Sequence, residues 1–266
     1  MRQSHTLSNT AMHVTVAVLL AFLVVPILAV IPSAFSEASY LRMPPESYST
    51  RWFTEFFADK QWSRSLMTSL RIAVLSTFVS VVLGTLAALG LQRLPAKVAI
   101  FLNGLFLAPM IVPVIVTAVA LYFAGQKVGL VGTELGMVLG HSLLCIPFVV
   151  INVGISLRSI DPSWLRAAEG LGASGPVAFR TVTLPNILPG LLGGGVFAFI
   201  TSFDEVIISI FLSGYATKTL PVKMWEEIRL EFTPVVAVGA VLMIALTLLP
   251  LVLHRLTEKQ KKGARE

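Results

Sequence analysis

The chain of 266 residues is 55% hydrophobic and only 13% charged, with a mean hydropathy of +0.83. A soluble domain carries about a quarter charged residues, so this composition excludes a soluble enzyme and points to an integral membrane protein. The net charge of +6 comes from basic residues scattered over loops rather than gathered on one face, which argues against nucleic-acid binding.

Six apolar blocks reach the ~20 residues that a helix needs to cross a bilayer: 12–34, 66–91, 98–124, 135–156, 187–212 and 234–254. The expected fold is an all-α membrane protein of six spans, built as a single domain over 1–266. The apolar core of the first block exceeds the ~7–15 residues of a secretory signal, so it reads as an uncleaved span. With both termini in the cytoplasm, the inner loops and tails hold eleven basic residues against four acids. The outer loops hold eight of each, so the basic excess lies on the inner side. The outer count includes Arg42 and Glu231, and the inner count includes Arg2, Arg255, Glu258, Lys259, Lys261, Lys262, Arg265 and Glu266.

After the first span, Trp52, Phe53, Phe56 and Phe57 fall on one helical face. They suggest a short interfacial helix that packs against the bundle or meets an outside partner. Asn103 and Asn152 read as interhelical hydrogen bonders. His141 in span four reads as a hydrogen-bonded packing residue, and Ser142 beside it does not make a protease pair, because sequence neighbours do not face each other on a helix. Cys145 reads as a packed thiol.

Between spans four and five lies a capped hairpin. Asp161 is a good helix cap, Pro162 suits the first helical position, and Gly172 suits a left-handed stop. Trp164, Leu165, Ala168 and Leu171 form an apolar stripe. Ser174 and Pro176 can open a second short helix that Pro185 is expected to stop. Ala167, Ala168, Gly170 and Gly172 allow a close approach.

Span five carries the substrate clue. Asp204 and Glu205 lie inside an apolar run, where each charge costs about 2.5–3.5 kcal/mol on insertion scales, so they are not expected to face lipid. Gly193, Gly194 and Gly195 are expected to soften the helix upstream, as in broken spans that line cavities. Asp204 and Glu205, with Ser202 and Phe203, are the expected substrate path, favouring a cation. Arg71 in span two lies at a similar depth and is the expected partner of one of the two acids. No metal site is expected.

The spacing of Ala167, Ala168, Gly172, Val182, Leu184 and Pro185 resembles the E-A-A loop of inner-membrane permease subunits of binding-protein-dependent ABC importers. Ser202–Val206, Phe211–Gly214, Thr219–Val222 and Ser49-x-Arg51-Trp52-Phe53 are similar to the spermidine/putrescine-type branch, so the likeness runs from about 50 to 250. Arg166 stands where the motif has glutamate; Glu169 lies one turn on. The resemblance implies a multi-pass permease of a bacterial inner membrane that is not itself an enzyme and binds no cofactor. ATP and Mg would belong to two cytoplasmic ATPase subunits docked on Arg166, Ala167, Ala168, Glu169, Gly172, Val182, Leu184 and Pro185. It also implies a second, related permease subunit and an extracytoplasmic binding protein meeting Trp52, Trp225, Glu226 and Glu227. The implied cargo is a polyamine or similar small organic cation. An amino acid derivative, an opine, an aminophosphonate or ferric iron are alternatives within the class. Outside it stand an ion-coupled secondary transporter using Asp204 and Glu205 and, less well supported, an intramembrane hydrolase.

Overall fold

The computed structural model describes residues 2–40, 44–230 and 233–263. Of the charges counted for topology, Arg42, Glu231, Arg265, Glu266 and the side chains of Arg2, Arg255, Glu258, Lys259, Lys261 and Lys262 lie outside what it describes. The described chain is helical, apart from an antiparallel bridge between Ser36 and Tyr48. In order, the helices are α1 (Arg2–Ala34), α2 (Arg51–Ala58), α3 (Lys60–Leu91), α4 (Ala96–Ile111), α5 (Val114–Lys127) and α6 (Glu134–Arg158). Then come α7 (Pro162–Gly170), α8 (Gly175–Ala178), α9 (Leu184–Phe203), α10 (Ile207–Leu212), α11 (Leu220–Leu230) and α12 (Val235–Gly263). Five helical stretches are long and apolar enough to cross a membrane, and α4 with α5 makes a sixth if that bent pair is one span.

Two expected spans are broken. The block at 98–124 is not one straight helix, because α4 and α5 meet at 100°. Pro113 is the cause: it has no N–H to continue the ladder, and it pushes Val112 into extended backbone at φ −71°, ψ 132°. The block at 187–212 is interrupted between Phe203 and Ile207. Pro185 does not stop a helix. It sits in the first turn of α9, which follows without a gap from a π-helical turn over Phe179–Thr183. The missing proline donor is tolerated there because the wider turn has already shifted the hydrogen-bond ladder.

The chain divides into two compact units, Met1–Ser63 with Met224–Ala245, and Arg64–Lys223 with Leu246–Glu266. In the first, α2 turns Trp52 and Phe56 inward, and Phe56 packs on Trp62 with ring centroids 5.3 Å apart. Phe53 packs on Phe35 at 4.9 Å. The packing reading of this aromatic stripe therefore holds for Trp52, Phe53 and Phe56, while Phe57 stays exposed.

In the second unit, α6 is the central helix. Glycines bring α9 against it: a Cβ on Gly190 would meet the Asn152 carbonyl oxygen at 2.5 Å and the Ser156 hydroxyl, and one on Gly194 would meet Val149 Cα at 2.9 Å. These glycines serve close packing, a small-residue helix contact of the kind membrane proteins favour. A break at the glycines is not seen; it comes later, at the acids. From α3, Ser76 Oγ donates to the Val138 carbonyl of α6 at 3.1 Å, and Ser80 Oγ to that of Ser142 at 3.4 Å. Cys145 is packed as expected, its thiol on the Ala198 carbonyl at 3.2 Å. Asn152 does not bond across helices. Its amide donates to the Phe148 carbonyl one turn back at 2.8 Å, and its Oδ1 lies against Gly193 of α9, 3.4 Å from where a Cβ would stand.

Candidate functional site

Two regions carry the functional reading. The first is the hairpin. The Asp161 side chain accepts the Ser163 N–H at 2.8 Å and opens α7 with Pro162 in its first turn. That hydrogen bond holds the Asp161 carboxyl below the usual carboxylate range. The helix closes through Gly172, left-handed at φ +85°, with its N–H on the Glu169 carbonyl at 2.9 Å and the Ala173 N–H on that of Ala168 at 3.0 Å. Left-handed backbone is where glycine is favoured.

No residue of α7 is buried. Trp164 is 51% exposed and Leu171 90%, while Ala168 between them is half-buried, so the large residues of the apolar stripe are left uncovered by this chain. Arg166, Ala167 and Glu169 are exposed too, while Val182 and Leu184 are half-buried and Pro185 exposed. Among the described residues, Arg166 and Glu169 form no ion pair. A Cβ on Gly170, Gly172 or Gly175 would meet nothing within 4 Å. Apart from the positive φ at Gly172, nothing in this chain requires these residues to be small.

The second region is the break in span five. α9 ends at Phe203, Asp204 and Val206 carry the chain through the gap, and α10 restarts at Ile207. Glu205 turns back to cap the new helix: its Oε1 accepts the Ile208 N–H at 2.9 Å. Asp204 is exposed; its N–H still donates to the Ile200 carbonyl at 3.1 Å, but its carboxylate has no hydrogen-bond or ion-pair partner among the described residues. Of the two acids, Asp204 is therefore the free one.

Three sequence expectations are corrected here. Arg71 does not pair with either acid; its Nη1 meets Glu134 Oε2 at 3.2 Å. Depth alone could not choose between partners, and Glu134, in the first turn of α6, is within reach of the exposed Arg71 side chain. Ser202 and Phe203 do not line an open path. Phe203 is buried and stacked on Phe199 at 5.6 Å, and Ser202 is buried behind the break. Trp52 is 5% exposed and offers no surface to an outside protein, because α2 turns it into its own unit. Trp225, by contrast, is exposed, with the Arg229 guanidinium 5.4 Å from its ring centre; Glu226 and Glu227 beside it are half-buried.

What holds the break is a histidine. His141 of α6 is buried, with Nδ1 2.9 Å from Ser202 Oγ on α9 and Nε2 3.0 Å from Ser209 Oγ on α10. Ser209 Oγ in turn donates to the Glu205 carbonyl at 3.0 Å. Nδ1 also lies 3.0 Å from the Ser202 carbonyl oxygen, so both neutral tautomers find partners: protonated at Nδ1 the ring donates to that carbonyl and Nε2 accepts from Ser209 Oγ–H, and protonated at Nε2 it accepts from Ser202 Oγ–H and donates to Ser209 Oγ. The packing reading of His141 is thus right, and its two partners straddle the gap. Sequence reasoning missed Ser209. The available signal was its spacing of seven from Ser202, about two turns along a helix, with the two acids between them.

The comparisons with known proteins agree with this architecture. Residues 80–263 match the family described as the binding-protein-dependent transport system inner membrane component. The chain is 28% identical over 244 residues, 91% of each chain, to the spermidine/putrescine transport system permease protein PotC of Escherichia coli. It is 29% identical over 232 residues to the putrescine transport system permease protein PotI of the same organism, covering 84% of this chain and 82% of that one. In structure it resembles a chain of a bacterial alginate ABC transporter, in complex with an alginate pentasaccharide-bound periplasmic protein. The TM-score is 0.73 at 15% identity, covering 95% of this chain and 93% of that one. A match across two thirds of the chain, on the helices that carry the hairpin and the broken span, identifies this protein as a member of the binding-protein-dependent transport system inner membrane components.

Proposed function

We propose that this chain is a permease subunit of an ATP-driven importer and forms half of a translocation path for polyamines or a similar small organic cation. The observation that carries the assembly is the bare α7 stripe. Trp164 and Leu171 stand exposed on a capped, glycine-terminated hairpin, at the end where basic residues predominate. An exposed aromatic and aliphatic patch rimmed by charge is the form of a protein-docking surface. Its partner is one of two cytoplasmic ATPases, which hold the nucleotide and Mg; this chain is a transport component and hydrolyses nothing. Both termini are cytoplasmic, and residues 1–266 work as one transmembrane domain beside a second, related permease. Trp225 with Glu226 and Glu227 meets the extracytoplasmic binding protein.

The cation preference rests on Asp204, an exposed, unpaired carboxylate at a break in a membrane span, and on the polyamine systems of the relatives PotC and PotI. Uptake of labelled putrescine and spermidine by cells carrying the intact transporter tests it. Asp204→Asn should cut uptake at least tenfold while leaving the complex assembled. Undiminished uptake would remove Asp204 from the path, and no polyamine uptake by the wild type would remove the substrate class.

A further inference from the structure

A cleft of about 380 Å³ lies between the ends of α3, α4 and α6, on the side of the molecule away from the Arg71–Glu134 pair. Ala88, Ile100 and Val150 give it apolar walls, and Gln92, Asn103 and Arg158 bring polar groups to it. None of these three polar side chains has a hydrogen-bond or ion-pair partner among the described residues. For Asn103 this corrects the expectation of an interhelical bond: its side chain borders the cleft.

The charge around the cleft has one sign. Arg93 follows Gln92 directly and Lys97 stands two positions before Ala99, another lining residue; both are exposed and likewise unpaired among the described residues. Between Asp59 and Glu134 the sequence contains no acid. The acid next after Arg158 is Asp161, whose carboxylate is engaged by the Ser163 N–H. Ile100 is 73% exposed and Ile155 62%, so the walls run out into a surface suited to hydrocarbon.

We propose that this cleft seats an anionic phospholipid, with its phosphate against Arg158 and an acyl chain along Ile100 and Val150. Basic pockets between helix ends are where anionic headgroups bind membrane proteins. A free anion would leave the apolar trough empty, and a zwitterionic headgroup would bring its own cation toward Arg93 and Lys97. The orientation proposed above decides only which leaflet supplies the lipid: the inner one. Retention by the purified protein reads binding from either leaflet.

The test is native mass spectrometry of the full-length chain, reconstituted in mixed phosphatidylglycerol and phosphatidylcholine and then released into detergent. The wild type should keep phosphatidylglycerol in preference to phosphatidylcholine. Arg158→Gln should lower that retention about fivefold, the value of one cation near a membrane surface, and Arg158→Lys should restore most of it. Arg180→Gln, which removes an exposed cation elsewhere, should change nothing. Equal retention of the two lipids, or equal losses in Arg158→Gln and Arg180→Gln, would overturn the proposal. So would displacement of the lipid by millimolar inorganic phosphate, or a copy-to-copy disulfide through Ile155→Cys, which would show a second protein chain in the cleft.

Discussion

Small residues do different work in two parts of this protein. Along the contact of α6 with α9, Gly190 and Gly194 are small because this chain needs them so: any Cβ there runs into the backbone of α6. On the hairpin, Gly170 and Gly175 are small although the space around them is empty. The first requirement is internal and is met on folding. The second has no cause within the chain, and the exposed Trp164 and Leu171 stand on the same element. A rigid internal contact beside a bare external one is what a part that transmits force to a partner requires.

That contrast can be broken at either end. The largest effect should come from Gly190→Val, which drives a branched side chain into Asn152 and Ser156. Overpacking of this kind costs about 3 kcal/mol, so the protein should be lost from membranes or unfold at much lower denaturant, whatever its partners. Trp164→Ala should spare folding and weaken ATPase capture by about 2 kcal/mol, roughly thirtyfold, if the indole is an interface anchor; titration of the ATPase onto the reconstituted permease measures it. Unchanged capture would mean that the stripe faces something else.

His141→Leu sharpens the comparison from the core side. It leaves Ser202 and Ser209 without their shared partner, at a cost of about 1–3 kcal/mol. Thermal unfolding should register that loss, and uptake should fall further than stability alone explains, because the gap that presents Asp204 is no longer held. His141→Gln, which can bond one of the two serines, should recover part of both. A variant equal to wild type in uptake would reduce the clasp to packing. Gly170→Ala should change permease stability by less than about 0.5 kcal/mol, since its methyl enters open space, while still weakening ATPase capture.

The smallest effect concerns pH. Asp161 is held below its ordinary value, so its capping contribution is present above pH 3.8 and fades as pH falls through the lower folded value. Protection of the Ser163 amide, taken relative to its intrinsic exchange rate at each pH, should fall there, and Asp161→Asn should cap the helix without that dependence.

Much of this was legible in the sequence, and the exceptions share a reason. Asp161, Pro162 and Gly172 announced the first hairpin helix because caps and left-handed stops are local chemistry. The apolar blocks announced the spans because hydropathy is additive along the chain. Arg71 found Glu134 rather than Asp204 because choosing between two partners at similar depth depends on the rotation of each helix, which depth does not fix. The break in span five was sought at the glycines and occurs at the acids. A glycine run reads alike whether it loosens a helix or lets a neighbour approach, and only the packing against Asn152 and Val149 decides. The role of Pro185 turned on a π-helical turn that hydrophobic periodicity does not reveal.

The central claim is that the hairpin is built for a partner ATPase, and capture of the intact complex tests it most directly. An ATPase should co-purify with the wild-type permease after gentle extraction. It should be lost with Gly172→Asp, which adds a charged side chain at the left-handed stop while the protein remains folded in the membrane. No ATPase on the wild type, or equal capture by both proteins, would contradict the account and turn attention to ion-coupled transport through Asp204 and Glu205.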